Sequence, residues 1–195
     1  GTLSNLQRQI LHATDSAGTA KTDSASCRLK ALNPAVEITT ATERLTPDNA
    51  LALLEKCDLA VDASDNYAAR FALADACAAL RIPLVHGAVK GFIGQATVFA
   101  PHEGTACYRC LFPEETPMQE EDTASAAGIL GAHAGIIGCI QALEALKALA
   151  GIPSPLRGGL LSADTLRMRF TVIPLHPSPT CKCRNGGGGG AAMKN

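Results

Sequence analysis

Residues 59–86, LAVDASDNYAARFALADACAALRIPLVH, decide the fold of this chain. They contain two short apolar runs, 59–63 and 82–86, on either side of an alanine-rich stretch from about Asn66 to Leu80. A near-continuous apolar run is typical of a strand that is buried on both faces of a parallel sheet. The polar residues 64–66 offer a cap for the helix that follows the first strand. The stretch therefore predicts a βαβ unit.

The alternation of strands and helices extends along the rest of the chain. The further elements predicted are helices over 21–32 and 46–56, and strands over 36–40, 95–100, 160–161 and 169–175. Strands that alternate with helices indicate an α/β protein. We expect a mostly parallel sheet with flanking helices, to which the last two strands add an antiparallel pair.

Segment 128–150 predicts a long helix that ends before Gly151. Its apolar residues recur at spacings of three and four, which is typical of a helix with one buried face. The residues expected on the buried face are Ile137, Ile140, Leu143, Leu146 and Leu149. Those expected on the opposite face include Gln141, Glu144 and Lys147.

Length and charge limit the possible functions. The chain of 195 residues suffices for one domain, or at most two. Seventeen basic and eighteen acidic residues give a net charge of −1, so no overall basic field exists to hold nucleic acid or an anionic membrane. No apolar stretch approaches the ~18–20 residues that span a bilayer, and no signal peptide is recognisable. We expect a cytoplasmic protein that binds neither nucleic acid nor membrane.

Asp65 is the strongest candidate for a functional carboxylate. It lies between the first strand and the helix of the βαβ unit, at the edge of an α/β sheet where ligands bind. A carboxylate there can hold Mg²⁺ while phosphates supply further oxygens. A plain helix cap is the alternative for Asp65. Asp62 is a weaker candidate, expected either to join Asp65 on the metal or to hydrogen-bond a loop. Arg8 and Lys21 suit contact with phosphate, but surface cations of this kind are usually only solvated.

Four of the eight cysteines form two close pairs, Cys107/Cys110 and Cys181/Cys183. The first pair has the C-x-x-C spacing of half a tetrahedral Zn²⁺ site. The C-x-C spacing of the second pair is sterically harder for two thiolates on one metal. We expect structural zinc, with a partly formed site as the first alternative and a redox-active pair as the second.

Several stretches, taken in order, resemble the ThiF/MoeB/HesA family of ubiquitin-activating-enzyme-like adenylyltransferases. The matching stretches are SNLQRQ at 4–9, Lys21, Asn33-Pro34, DASDN at 62–66, GAVKGFIGQ at 87–95, CYRC at 107–110, GIIGCIQALE at 135–144, LSAD at 161–164 and the last cysteine pair. The resemblance implies a Rossmann-like adenylation domain over residues 1–183. Residues 184–195 are glycine-rich, and we expect them to form a disordered tail.

The resemblance also implies a reaction, which is the ATP-dependent adenylylation of the C-terminal Gly-Gly carboxylate of a ubiquitin-like sulfur carrier. The pathway implied is thiamine or molybdenum-cofactor synthesis. Asp65 would hold the catalytic Mg²⁺, while Arg8 and Lys21 would neutralise charge on the transferring phosphate. The residues implied at the nucleotide are Asn5, Arg8, Gln9, Lys21, Asp65 and Asn66. Zinc held by the four paired cysteines, a homodimer and a persulfide sulfur donor are implied as well.

Besides the C-x-C spacing of its last cysteine pair, the sequence departs from the family pattern at two places. The opening strand and the glycine-rich nucleotide loop of the family are not among these residues, so we expect a domain that is incomplete at its N-terminus. Ala124 occupies a position where the family often has a cysteine, so a thioester or acyl-disulfide step is not expected there. These departures favour a non-catalytic or truncated carrier-binding module as one alternative. A related adenylating enzyme that modifies tRNA is another, which the C-x-x-C pair disfavours.

Overall fold

One five-stranded sheet organises the part of the chain that the computed structural model describes, which is residues 5–14, 18–113 and 128–185. The strands follow one another across the sheet in chain order: β1 (Ala60–Asp62), β2 (Leu84–Lys90), β3 (Ile93–Phe99), β4 (Gly159–Asp164) and β5 (Arg169–Pro174). The helices are α1 (Lys21–Leu32), α2 (Ala50–Leu54), α3 (Tyr67–Leu80), α4 (Tyr108–Leu111) and α5 (Gly131–Leu149). Short 3₁₀ segments occur at Pro101–Glu103 and Lys182–Asn185. Ala124 and the tail beyond residue 185 lie outside the described residues.

The predicted βαβ unit is confirmed as β1, α3 and β2. The two strands are parallel, with Asp62 opposite His86. Asn66 caps α3, because its side-chain oxygen accepts a hydrogen bond from the backbone N–H of Ala69 at 2.9 Å. Arg81 ends the helix in a left-handed conformation (φ 58°). The unit therefore places the carboxyl end of β1 directly before the start of α3.

The α/β class, the flanking helices and the late antiparallel strands are confirmed, but the expected excess of parallel pairs is not found among the described strands. Only β1 and β2 pair in parallel; β2–β3, β3–β4 and β4–β5 are antiparallel. The reason is local. Strands β2 and β3 extend further than predicted and are joined by Gly91 and Phe92, with Gly91 at φ +57°. A two-residue connection can join only antiparallel strands.

A core cluster lies on each face of the sheet, while every residue of the last strand, β5, is exposed. On one face, Leu73 and Cys77 of α3 pack with Leu84, Phe99 and Tyr108. The other face contributes a second cluster, formed by Val85, Ala96, Val98, Leu156 and Leu161 with part of α5 packed on it. Adjacent residues of β2 thus point into different clusters, as the two-residue period of a strand requires.

The buried face predicted for α5 is only partly right. Ile137 is buried and Ile140 packs against the core as expected, whereas Leu143, Leu146 and Leu149 are exposed. Gln141 and Glu144, expected on the opposite face, are buried and have specific polar partners that a periodicity analysis does not consider. Glu144 accepts a hydrogen bond from Ser154 and pairs with Lys147 at 2.5 Å. Its burial therefore costs less than its polarity suggests.

Two other predictions need correction, and one is confirmed. Helix 21–32 is observed as predicted. The helix expected over 46–56 is shorter, since only Ala50–Leu54 is helical. Residues 36–40 form no strand, because no neighbouring strand among the described residues supplies a hydrogen-bonded ladder. Within the described residues, no helix has both the length and the apolarity needed to cross a membrane.

Candidate active site

The loop between β1 and α3 is fixed at both ends. At its start, the Asp62 carboxylate accepts hydrogen bonds from the backbone N–H of Ser64 at 2.9 Å and from the Ser64 hydroxyl at 2.6 Å. Arg70, one turn into α3, donates to the Ser64 carbonyl at 2.9 Å. At its end, Asn66 caps the helix. Asp65 therefore lies between two anchored residues.

Asp62 is held by His86, which lies opposite it on the neighbouring strand β2. The carboxylate is 1% exposed and the imidazole is 0% exposed, and Asp62 Oδ2 lies 2.7 Å from His86 Nδ1. Burial alone would raise the pKa of the Asp62 carboxyl, but the hydrogen bonds from His86 and Ser64 and the attraction to His86 outweigh it, so that this pKa lies below its usual value. Asp62 is therefore an ionised carboxylate within the core.

Aromatic rings enclose His86. The ring centroids of Phe99, Tyr108 and Phe112 lie 5.9, 5.4 and 6.2 Å from that of His86. The second ring nitrogen, Nε2, lies 3.5 Å from the Gln95 amide nitrogen. Because Nδ1 donates its proton to the Asp62 carboxylate, Nε2 is the acceptor and the Gln95 amide is the donor.

A cavity of about 190 Å³ opens beside this loop. Polar and aromatic side chains line it together with the backbone of the β2–β3 hairpin: Asp65, Tyr67, Arg70, Lys90, Gln95 and Phe112. Asp65 is exposed, and its carboxylate accepts a long hydrogen bond from the Asn66 amide at 3.5 Å. A carboxylate available to solvent is the kind of oxygen donor that Mg²⁺ prefers. The two basic side chains of the lining, Arg70 and Lys90, suit an anionic ligand. The residues present thus fit a magnesium-bound phosphate.

The segment that carries Asn5 and Arg8 lies against the start of α5. Gln7 donates from its side-chain amide to the Ile129 carbonyl at 3.1 Å. A Cβ at Gly131 would overlap the main-chain oxygen of Gln7, so the close approach requires glycine there. Arg8 donates to the Asn5 side-chain oxygen at 2.6 Å.

The other predicted nucleotide residues lie on neighbouring elements. Lys21 is the first residue of α1, and His12 joins the N-terminal segment to that helix through Ser24, with 3.0 Å between Nδ1 and Oγ. Among the six predicted nucleotide residues, only Asp65 lines the cavity, and Asn66 is next to it. The structure brings Asn5 and Arg8 together, and it places neither of them nor Gln9 or Lys21 on the cavity wall.

Both cysteine pairs meet in space. Cys107 Sγ lies 3.6 Å from Cys110 Sγ and 3.5 Å from Cys181 Sγ. The sulfur atoms of Cys107, Cys181 and Cys183 all lie within 4.8 Å of one another. The backbone N–H of Ser178 donates to Cys110 Sγ at 3.2 Å.

Three of these sulfur atoms, those of Cys107, Cys181 and Cys183, form a group compact enough for one zinc ion, and Cys110 adjoins the group through Cys107. Sulfur ligands about 2.3 Å from a tetrahedral zinc stand about 3.8 Å apart, close to the separations of Cys107 from Cys110 and Cys181. Burial raises the pKa of the Cys107 thiol, and it also raises that of Cys183. Thiols of this kind stay protonated at neutral pH until a cation displaces the protons. The cluster therefore suits a metal better than a reactive thiolate.

Sequence reasoning missed His86, Arg70 and Gln95. A histidine at the end of the apolar run 82–86 is a signal that was available, since a buried imidazole needs a partner. Of the two parts expected for Asp62, the hydrogen bond to a loop is found, since its carboxylate accepts from Ser64 in the β1–α3 loop. Its pairing with His86 is the part that the sequence did not indicate. Arg70 and Gln95 have no local signal, because the fold alone brings them to the cavity.

The architecture is that of the Rossmann-like α/β proteins. Escherichia coli MccB, solved with ATP, has a TM-score of 0.78 at 16% sequence identity, and the match covers 94% of this chain and 56% of that one. At this identity the likeness establishes the fold. The chain belongs to the ThiF family, whose sequence profile matches residues 2–185.

Relatives with about two fifths identity support the assignment. The "Adenylyltransferase and sulfurtransferase MOCS3-2" of Zea mays is 42% identical over 92% of this chain and 37% of its own length. The "SAMP-activating enzyme E1" of Haloferax volcanii is 42% identical over 94% of this chain and 68% of its own length. The "Sulfur carrier protein adenylyltransferase" of Thermus thermophilus is 42% identical over 92% of this chain and 68% of its own length. The chain thus spans from little more than a third to about two thirds of these relatives.

Proposed function

We propose that this chain carries the adenylylating site of an enzyme that activates a ubiquitin-like sulfur carrier with ATP. The observation that carries the proposal is the position of Asp65: it follows a parallel strand and faces a cavity that also contains Arg70 and Lys90. The names of the Thermus and maize relatives point to the same chemistry. The substrate in this proposal is the C-terminal Gly-Gly carboxylate of the carrier.

The proposed reaction is an attack of that carboxylate on the α-phosphorus of ATP. A carboxylate oxygen forms a new bond to phosphorus, and the bond from phosphorus to the α,β-bridging oxygen breaks. Its electron pair leaves with pyrophosphate, so the products are an acyl adenylate and pyrophosphate. No covalent intermediate with the protein is needed, and the work of the protein is to position the reactants and balance their charge.

The residues take separate parts in this scheme. Asp65 would hold the Mg²⁺ that accompanies the nucleotide, and Asn66 fixes the start of α3 beside it. Arg8 and Lys21 neutralise charge on the transferring phosphate, Asn5 orients Arg8, and Gln9 contacts the nucleotide. These N-terminal roles rest on the family resemblance. Mg²⁺ supplies charge neutralisation when it is bound.

We also propose that Cys107, Cys110, Cys181 and Cys183 hold a structural zinc ion. The support is the convergence of two distant chain segments on one set of sulfur atoms. Zinc there would crosslink α4 to the segment after β5. It would contribute stability and take no part in the chemistry.

Several finer expectations remain proposals that follow from the resemblance. They are a homodimer, a persulfide sulfur donor, a cytoplasmic location, and service to thiamine or molybdenum-cofactor synthesis. A carrier-binding module without catalysis and a tRNA-directed adenylating enzyme are the competing functions.

The deciding experiment is carrier-dependent exchange of labelled pyrophosphate into ATP by the intact protein. Asp65→Asn removes the proposed metal ligand, and Asp58→Asn is the matched control, because Asp58 is an exposed carboxylate at the other end of the same strand. We expect Asp65→Asn to lower exchange at least a hundredfold, as loss of a major electrostatic group does, and Asp58→Asn to leave it unchanged.

Three outcomes would contradict the proposal. Exchange that persists in Asp65→Asn would overturn the role of that carboxylate. Binding of the carrier without any exchange would favour the non-catalytic module. Exchange that depends on tRNA and ignores the Gly-Gly tail would favour the tRNA-directed enzyme.

A further inference from the structure

We propose that His86 is a positioning residue. Through Asp62, it fixes the position of Asp65, the carboxylate proposed to bind the metal. The inference rests on the proposed function, since it assigns to His86 a part in the same site. His86 touches no substrate in this scheme. It acts at one remove, from within the core, on the loop that presents Asp65 to the cavity.

The first step is the connection from Asp62 to Asp65. Both hydrogen bonds of Ser64 to Asp62 end on the same oxygen, Oδ1, at 2.9 and 2.6 Å. They fold residues 62–64 into a tight turn that fixes the direction of the chain. Asp65 is the next residue, and Asn66 is already held by its cap on α3. The freedom left to the Asp65 backbone is therefore small.

The second step is the dependence of Asp62 on His86. An ionised carboxylate that is 1% exposed is costly unless its oxygens are paired. His86 occupies Oδ2 at 2.7 Å, which leaves Oδ1 for the turn. Arg70 is further from the same oxygen, at 3.7 Å. Without the imidazole, Oδ2 would lose its partner and would draw hydrogen bonds from Ser64 and Arg70. Those donors would then no longer be available to hold the loop, because Ser64 now bonds Oδ1 and Arg70 bonds the Ser64 carbonyl.

The third step is the rigidity of His86 itself. Three aromatic rings pack around the imidazole, and Nε2 faces the amide of Gln95, which lines the cavity. One buried ring thus contacts groups on two walls of the site, the β1–α3 loop and strand β3. A group that orients a metal ligand typically contributes ~10–100-fold to metal affinity when it is tested by substitution.

A purely structural role for His86 is the competing explanation, and the variants separate the two. His86→Leu removes the hydrogen bond to Asp62. His86→Asn keeps a donor near the position of Nδ1 and loses the partner of Gln95. Thr97→Val is the matched control: Thr97 is the cross-strand partner of His86, is 1% exposed, and donates to the Gly159 carbonyl at 2.8 Å. It removes a buried hydrogen bond between β3 and β4 without touching Asp62.

The measurement is the binding of Mn²⁺ in the presence of a non-hydrolysable ATP analogue, followed by electron paramagnetic resonance of free Mn²⁺ with the intact protein. We expect His86→Leu to weaken Mn²⁺ binding about tenfold or more, and His86→Asn and Thr97→Val by less than about threefold. Equal binding in His86→Leu and wild type would overturn the proposal. Equal losses in His86→Leu and either of the other two variants would also overturn it.

Ser64→Ala keeps the test decisive if His86→Leu fails to fold. Ser64 is only partly buried, and its hydroxyl is one of the two donors to Oδ1. The backbone N–H of residue 64 still donates to Oδ1 in this variant, so the protein should fold. Loss of the hydroxyl should weaken Mn²⁺ binding severalfold, and unchanged binding would contradict the proposal. Asp65→Asn separates this inference from the proposed function: if that variant binds Mn²⁺ as wild type does, the metal role of Asp65 fails, whatever His86 does.

Discussion

The side-chain amide of Gln141, in α5, donates a hydrogen bond to the main-chain carbonyl of Asp62, in β1, at 2.7 Å. The same amide lies 3.4 Å from the carbonyl of Val85 in β2. Gln141 therefore links α5 to β1 and β2 near the carboxyl ends of these parallel strands, where the loop that carries Asp65 begins. Space for the amide exists because residue 87 is glycine, since a Cβ there would overlap Gln141.

Gln141→Ala and Gly87→Ala are expected to destabilise the protein, and their effects should not add. Loss of the Gln141 amide leaves a buried carbonyl without that donor, which costs about 1–3 kcal/mol. Gly87→Ala forces the amide out of its place, so it should cost a similar amount. In a Gln141→Ala background the added methyl meets no amide, and Gly87→Ala should cost much less. Denaturant unfolding of the two single variants and the double variant measures this coupling; strictly additive effects would contradict the contact.

The elements that sequence analysis predicted well are those with local causes. Helix α3 has its cap at Asn66 and a continuous helix-forming run behind it, so the surrounding fold hardly matters. The same analysis failed for 36–40, since alternation of side chains describes a strand but a partner strand must supply its hydrogen bonds. For α5 it predicts the helix itself and the burial of Ile137, but not the exposure of Leu143 and Leu146.

The same distinction between local causes and long-range contacts applies to the residues of the candidate site. Asp65 could be identified because the end of a strand and the start of a helix are both local features. The pairing of His86 with Asp62 joins residues 24 positions apart and depends on the register that places them opposite each other. Meeting of the two cysteine pairs depends on chain segments more than 70 residues apart, so spacing alone left zinc open.

Substitution of Cys107 tests the zinc proposal. Cys107 Sγ lies 3.6 Å from Cys110 Sγ and 3.5 Å from Cys181 Sγ, so Cys107→Ser should lose most of the bound zinc and lower the melting temperature. Cys139→Ser is the control, since Cys139 is exposed on α5. Elemental analysis of the intact protein should give about one zinc per chain for wild type and control. Because protons compete with the metal for thiols whose pKa is raised, zinc should dissociate as the pH falls. A zinc content that is near zero in wild type, or unchanged in Cys107→Ser, would contradict the proposal.

The ionised state of Asp62 predicts a pH dependence of stability. The pKa of Asp62 is lower in the folded protein than the ordinary value of 3.8. The unfolded state therefore binds this proton more readily, and the stability from the ionised carboxylate is complete above about pH 5. It is lost as the pH falls through the folded pKa. Asp62→Asn should cost about 3 kcal/mol near neutral pH, as breaking a buried pair does, and less below about pH 4.

Unfolding of wild type, Asp62→Asn and Asp58→Asn from pH 3 to pH 7 measures that difference. Asp58→Asn should follow the wild type throughout, because Asp58 is exposed. A penalty for Asp62→Asn that stays constant, or grows, between pH 5 and pH 3 would show that the carboxylate is not ionised in the folded protein.

The orientation of α5 predicts opposite outcomes for two apolar residues on the same helix. Ile137 is 2% exposed and Leu146 is 66% exposed. Ile137→Ala should cost about 3 kcal/mol, because it removes packed methyl groups and leaves a cavity against the sheet. Leu146→Ala should change the free energy of unfolding by no more than about 0.5 kcal/mol, since little of its side chain leaves water in the folded chain. Unfolding measured at two protein concentrations completes the test, because self-association over the exposed face would appear as a concentration-dependent cost of Leu146→Ala. If Leu146→Ala were the costlier substitution at every concentration, the face of α5 expected from its apolar periodicity would be the buried one and the orientation described here would be wrong.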